Sequence, residues 1–247
     1  MKTIILIFAT FLLFSCSSPN QIQKPQHLFQ EAPFLIDEKN ILLSGSGFFI
    51  GKNGEIATNY HVIQSARRIT ALYKNKKYTA KIMAVDQAND LAILKIDRLS
   101  RAITLMTSGD VQKGDSMASL SFPMVPLGGQ ESKASFGHIT AHSGLHADRR
   151  YYQIDLPIQP GSSGAPLLNY KSEVVGIISG SLSQNASLLK LGSLHQNVNY
   201  ALKVEYLLAL MKKHKLKPIE EDIDTEVSKQ KLIKRVDDSL VLIVIER

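Results

Sequence analysis

From Ile41 onward the chain runs in short apolar stretches broken by Gly, Asn and Asp. Residues 44–54, 55–63, 69–75, 78–86 and 91–96 make a first set. Runs rich in β-branched residues at this spacing, separated by turn signals, predict an all-β barrel or sandwich. Residues 116–123, 135–144, 151–158, 165–180 and 197–203 make a second set of similar size, and residues 99–114 connect the two less regularly. Two comparable sets predict two antiparallel β-barrels packed together. From Tyr200 the spacing changes. Leu202, Tyr206, Leu207 and Leu210 recur at helical intervals, the run ends in basic residues, and Pro218 follows. That predicts an amphipathic helix over 200–215 with cations at its C-terminus, overlapping the last strand by a turn. Residues 227–238 predict a second short helix, and 239–247 a closing strand. No internal repeat is evident.

Two segments of another kind precede this pattern. In residues 1–15, Lys2 is followed by an apolar run from Ile4 to Phe14. The run is too short to span a bilayer, which takes about 20 residues, and reads as a secretory signal. Leu13-Phe14-Ser15-Cys16 resembles the lipobox of bacterial lipoproteins, although Phe14 is bulkier than the usual residue there. The resemblance implies lipidation of the Cys16 thiol and cleavage before it. No acidic residue directly follows Cys16, which resembles the outer-membrane sorting signal of Gram-negative cells. Residues 16–31 are rich in Gln, Pro and Ser and read as a flexible tether. The expected organisation is therefore a signal peptide over 1–15, a tether over 16–31, a two-barrel domain over 32–216 and a C-terminal extension over 217–247. The expected location is the bacterial cell envelope, lipid-anchored, at the outer membrane facing the periplasm or at the cell surface.

Composition narrows the chemistry. The 247 residues carry a formal charge of +7. A basic balance permits contact with nucleic acid without arguing for it. The basic stretch Lys74, Lys76, Lys77 and Lys81 reads as a solvated hairpin, so no nucleic-acid partner is expected. The single cysteine excludes an intrachain disulfide, a CxxC zinc site and an iron–sulfur cluster. His138, His142 and His146 recur every fourth residue, but in a predicted strand interrupted by Gly144. Helical spacing does not apply there, so no metal site and no cofactor are expected.

Three segments carry candidate chemistry: Thr58-Asn59-Tyr60-His61-Val62, Asp90-Leu91-Ala92-Ile93-Leu94-Lys95 and Gly161-Ser162-Ser163-Gly164-Ala165-Pro166-Leu167-Leu168-Asn169. Each alone is ordinary. Together they give His, Asp and Ser in the chain order of chymotrypsin-like serine peptidases, on a double β pattern. They resemble in particular the trypsin-like peptidases of the Deg, or high-temperature-requirement A, class. Glu173-Val174-Val175-Gly176-Ile177, Gly45-Ser46-Gly47-Phe48 and Phe136-Gly137-His138-Ile139 add supporting matches. The resemblance covers roughly residues 44–215.

It implies a serine endopeptidase acting on protein or peptide substrates. A hydroxyl is a poor nucleophile near neutrality, so Ser163 needs His61 as base. Asp90 would fix the imidazole tautomer. The backbone N–H groups of Gly161 and Ser163 would form the oxyanion hole. Residues implied to line the pocket for the side chain before the scissile bond are Pro157, Ile158, Ile178, Ser179, Gly180 and Ser181. None offers a partner to a Lys, Arg or Glu side chain, so small or medium apolar residues are expected there. The pattern departs from the family in places. Ser162 stands where trypsins carry the Asp that pairs with a new N-terminus, and Ala165 replaces a common Gly. The segment after Lys215 is expected to be too short for a PDZ domain. The resemblance leaves oligomeric state and natural substrate open. A second reading, from another class, is a binding or chaperone lipoprotein on an inactive peptidase scaffold.

Overall fold

The segment Leu91-Ala92-Ile93-Leu94 explains why the first set reads as unbroken apolar runs. All four side chains are fully buried. They form β6 (Leu91–Lys95), paired on one side with β2 (Glu55–Asn59) and on the other with β5 (Lys81–Asp86). A strand buried on both faces has no polar side to alternate with. The structure, a computed structural model, describes residues 43–123, 131–180, 198–219, 221 and 225–246. The expected tether and Cys16 lie outside the described residues, as does Ser181.

Around β6 the chain builds β1 (Leu43–Phe49), β3 (Arg68–Tyr73) and β4 (Lys76–Thr79). The β3–β4 turn places Lys74 and Asn75 at φ 48° and 60°. Two successive left-handed residues are the backbone signature of a tight hairpin, so the basic stretch is an exposed turn, as its composition predicts. The second set forms β7 (Ser116–Ser121), β8 (Lys133–Ala141), β9 (Tyr151–Ile154), β10 (Pro166–Leu168), β11 (Val174–Ile178) and β12 (Asn199–Lys203). These close into a six-stranded antiparallel barrel in the order β10-β11-β12-β9-β8-β7.

The overlap between strand and helix at residues 200–203 resolves in favour of the strand. The backbone turns helical only at α2 (Val204–Lys213), after α1 (Tyr60–Ile63) the second helix. Helix α2 buries Val204, Leu207, Leu210 and Met211. The short helix expected near the C-terminus is α3 (Lys229–Val236), with the Ser228 hydroxyl accepting from the Lys231 N–H at 3.3 Å as its cap.

The first set forms the other half of the expected two-barrel fold as an open half-barrel. It forms a seven-stranded sheet in the order β4-β3-β13-β1-β2-β6-β5. Its edge strands, β4 and β5, are separated in the chain by Ala80 alone. The C-terminal strand β13 (Leu240–Glu246) is no appendage. It lies between β1 and β3, paired to β1 from Leu43 to Phe48 and to β3 from Arg68 to Leu72. Alternate side chains of β13 enter separate cores: Leu240, Leu242 and Val244 pack in one, Val241, Ile243 and Ile245 in the other. That is the period of two expected of a strand, hidden in the sequence because both faces are apolar.

At the far end of β2 and β6, Glu55 faces Lys95, the last residue of the second motif, across the ladder. Their charged groups meet at 2.6 Å, and the Glu55 side chain is only 8% exposed. Burial alone would raise the Glu55 carboxyl. Hydrogen bonds from Lys95 and from the Asn53 and Glu55 amides outweigh it and hold the group below its ordinary value. A carboxyl whose native value is depressed adds stability above its unfolded value of about 4.3 and loses it as pH falls through the lower native value. Glu55→Gln should therefore cost stability at pH 7, and the gap to the unmodified protein should shrink below about pH 4. Urea unfolding at both pH values checks this; a gap that grows on acidification would show the pair is not stabilising.

Candidate active site

Strand β2 delivers His61 through a single helical turn. Asn59 ends the strand in an extended conformation, and Val62 and Ile63 bury themselves behind the turn. His61 is left at the surface of the cleft with 26% of its side chain exposed. Asp90 precedes β6 and takes the left-handed conformation, φ 53°. Asp is among the non-glycine residues that tolerate this region, at a backbone cost that local hydrogen bonds offset. Here the Asp90 carbonyl accepts from the Tyr60 N–H and from Asn59 Nδ2, both at 3.0 Å. Its carboxylate then grips His61 twice: Oδ1 accepts from the His61 backbone N–H at 2.8 Å, and Oδ2 lies 2.7 Å from Nδ1. This fork orients the ring with Nδ1 toward the carboxylate and Nε2 away from it.

Ser163 lies in the loop between β9 and β10. The Ser162 N–H donates to the Gln159 carbonyl at 2.9 Å, tightening the loop into a turn. Gly161 and Gly164 adopt φ 96° and 86°. At Gly164 a Cβ would fall 2.2 Å from the Ser46 carbonyl oxygen, so only glycine fits. Ala165, where the family often has Gly, is fully buried without a special backbone angle. Ser162 is buried too, its hydroxyl 3.1 Å from that of Ser121. Among the described residues, neither the Gly161 nor the Ser163 amide is donated to a backbone acceptor.

The two halves of the site are joined by Ser46, which the sequence marks only as part of a supporting match. Its N–H donates to the Ser163 carbonyl at 2.8 Å, and its hydroxyl donates to the Gly161 carbonyl at 2.8 Å. The same hydroxyl accepts from the Phe122 N–H at 2.9 Å, and Thr58 Oγ1 donates to the Ser46 carbonyl at 2.7 Å. Ser46 is 1% exposed. The His-bearing strand and the Ser-bearing loop are thus stitched to one buried residue. Among the described residues no hydrogen bond joins Ser163 Oγ to the imidazole. Such contacts are often long in ligand-free sites and tighten when substrate fills the cleft.

The residues expected to line the specificity pocket divide. Gly180 lies against Ser163: a Cβ there would come 2.8 Å from Ser163 Oγ and 3.9 Å from Ile158 Cγ2. Ser179 is buried, its N–H bonded to the Tyr200 carbonyl at 3.0 Å. The Ile178 side chain is fully buried in the core of the second barrel, in the cluster that also holds Ala165 and against which Ile158 packs, and its carbonyl accepts from the Gly164 N–H at 3.0 Å. Pro157 is exposed to solvent rather than set at a pocket floor. The His138, His142 and His146 series forms no cluster able to hold a metal ion among the described residues.

Comparison with known proteins agrees with this geometry. Residues 45–177 match the trypsin-like peptidase domain family. An uncharacterized protein of Sinorhizobium fredii is 34% identical over 177 residues, covering 71% of this chain and 28% of that protein. A DegP-like periplasmic serine endoprotease of Chlamydia trachomatis is 31% identical, covering 68% of this chain and 33% of its own length. The serine protease HhoA of Synechocystis is 33% identical over 57% of this chain and 37% of its own. The crystal structure of the serine endoprotease from Yersinia pestis superposes with a TM-score of 0.56 at 28% identity, covering 69% of this chain and 57% of that one. The chain therefore spans well under half the length of these curated relatives. With its three motifs, its closed second barrel and more than half its length matched, this chain belongs to the trypsin-like peptidase family, beside the DegP and HhoA serine proteases.

Proposed function

We propose that this protein is an exported, lipid-anchored serine endopeptidase of the bacterial envelope. The observation that carries the reading is the double grip of Asp90 on His61 beside a Ser163 loop stitched to the same strand by Ser46. His61 Nε2 takes the proton from Ser163 Oγ as the oxygen attacks the scissile carbonyl carbon. The carbonyl oxygen becomes an oxyanion bound by the Gly161 and Ser163 amides. The imidazolium, stabilised by Asp90, returns the proton to the leaving amine, and the C–N bond breaks to leave an acyl-enzyme. Water, deprotonated by the same imidazole, then releases the acid and restores Ser163. Losing one oxyanion donor typically raises such a barrier by about 2.7–4 kcal/mol. Hydrolysis of unfolded casein by the protein tests the reading; a chain that binds casein without cleaving it favours the inactive chaperone-like alternative.

Small or medium apolar residues are preferred before the scissile bond. Gly180 lies beside Ser163 and Ile158, neither Gly180 nor Ile158 can pair a charge, and an unpaired buried charge is costly. Apolar pockets separate aliphatic side chains by only about 1–3 kcal/mol, so the preference is broad. A peptide-library profile should favour Val, Ala, Ile and Leu at that position. Dominance of Lys, Arg or Glu would refute it.

The anchor is Cys16. Among the described residues no helix is long and apolar enough to cross a membrane. Several acyl chains, at about 0.8 kcal/mol per buried CH₂, would hold the protein firmly at a bilayer. The DegP-like relatives are named as periplasmic, consistent with an outer-membrane anchor facing that compartment. Cys16→Ser should move the protein from the membrane to the soluble fraction or leave it unprocessed. A cleaved variant that stays firmly membrane-bound would contradict the lipobox.

A further inference from the structure

Asp90 is held in its left-handed conformation by more than its neighbours in the first sheet. Its own loop contributes the Asp90 N–H to Gln87 carbonyl bond at 3.3 Å, and Asn89 donates to both oxygens of Asp86, at 3.1 and 2.7 Å. The remaining support comes from the other barrel. Arg150, directly before β9, extends Nη1 to the Ala88 carbonyl at 2.6 Å and to Asn89 Oδ1 at 3.2 Å. These are the two residues that lead into Asp90. The rest of the guanidinium is clamped by Asp148: Nε lies 3.0 Å from both carboxylate oxygens, and Nη2 2.6 Å from Oδ2. The Arg150 carbonyl accepts from the Lys203 N–H at 2.9 Å, which ties its backbone to β12, and the guanidinium packs over the Tyr151 ring at 5.5 Å. Each partner holds the other in its charged form: hydrogen bonding to Arg150 lowers the Asp148 carboxyl, and hydrogen bonding to Asp148 raises the guanidinium.

We infer that Arg150, clamped by Asp148, is a positioning residue that braces the Ala88–Asn89 segment from the second barrel and so keeps the Asp90 carboxylate in register with His61. The inference rests on the proposed role of the His61–Asp90 pair. The physical reason is geometric. Asp tolerates the left-handed region better than most residues but still at a backbone cost that its surroundings offset, and among the described residues Arg150 is the only side chain of the second barrel hydrogen-bonded to that loop. The guanidinium fork is used in full, one edge on Asp148 and the opposite nitrogen on the loop. A lysine offers one point of charge and cannot span both. The pair is partly exposed, 38% for Arg150 and 28% for Asp148, so its value to global stability is small. Its effect falls on placement instead, where a displacement of about 1 Å far from the bond being broken can cost 100-fold in rate.

The test uses the full chain with Arg150→Gln, Arg150→Lys and Asp148→Asn. The first readout needs no catalysis: the low-field proton resonance of His61 Nδ1–H, assigned by its loss in His61→Ala. Arg150→Gln should shift or broaden that signal while the thermal midpoint stays within a few degrees. The second is kinetic: kcat should fall about 10- to 100-fold with KM little changed, and Arg150→Lys should not restore it. The third is a cycle with Asp90→Asn, in which Arg150→Gln should add no further loss. An unchanged resonance, a full rescue by Lys, or an equal loss on top of Asp90→Asn would overturn the inference. If Arg150→Gln does not fold, Asp148→Asn carries the same readouts. A wild-type chain that fails to hydrolyse casein yet loses the resonance on Arg150→Gln would sink the peptidase reading and leave the brace standing.

Discussion

Ser163→Ala should lower kcat about a million-fold and leave the unfolding midpoint unchanged, and His61→Ala should do the same. The two losses should not add, because nucleophile and base act as one unit. The fold has little stake in either side chain. Ser163 Oγ makes no hydrogen bond among the described residues, and His61 stands partly in solvent. The loop is held by its backbone, through Ser46 and the Gly164 to Ile178 bond, and those survive the loss of a hydroxyl. Asp90→Asn should cost less, about 10,000-fold, since it spoils the tautomer without removing the base. Steady-state rates on a peptide substrate, beside urea unfolding of each variant, check both halves of the expectation. Undiminished hydrolysis by Ser163→Ala would remove the nucleophile assignment.

The largest structural effect is expected at the other end of the chain. Ending it after Asp238 removes β13 from the middle of the first sheet. Strands β1 and β3 then each lose a paired neighbour, and six buried side chains leave two cores. Even the milder Ile243→Ala, at a fully buried position, should cost about 2–5 kcal/mol. Whole domains are stable by only about 5–15 kcal/mol, so the truncated chain should not fold cooperatively. Since β1 carries Ser46, the site would be lost with the sheet. Thermal unfolding followed by circular dichroism decides the matter; a truncated chain that stays soluble, unfolds cooperatively and keeps its activity would show that β13 is dispensable.

The strands and the three motifs are legible because their signals are local. Alternation, turn residues and apolar runs lie within ten residues of one another, and the order of His61, Asp90 and Ser163 needs no structure to read. The partner of each strand is not local. Residues 239–247 read as a closing strand, but nothing in their all-apolar pattern says that they enter between β1 and β3. The same limit hides Ser46, whose hydroxyl bonds to Gly161 from 115 positions away, and Arg150, which reaches Ala88 from 62 positions away. Gly164, by contrast, stands out in the motif, and its backbone angle and the crowding by the Ser46 carbonyl give the reason. For Ile178, a match to the strand after Ser163 does not tell which face of that strand looks into the barrel, and its side chain is buried in the core of the second barrel.

The proposed chemistry turns on Ser163 acting as a nucleophile made reactive by His61. A fluorophosphonate probe tests it without any knowledge of the natural substrate. An activated serine attacks the phosphorus, fluoride leaves, and a stable phosphonate ester remains for peptide mass spectrometry to locate. One adduct is expected, on Ser163, and His61→Ala should abolish it. No adduct on Ser163, or labelling that His61→Ala leaves unchanged, would contradict it.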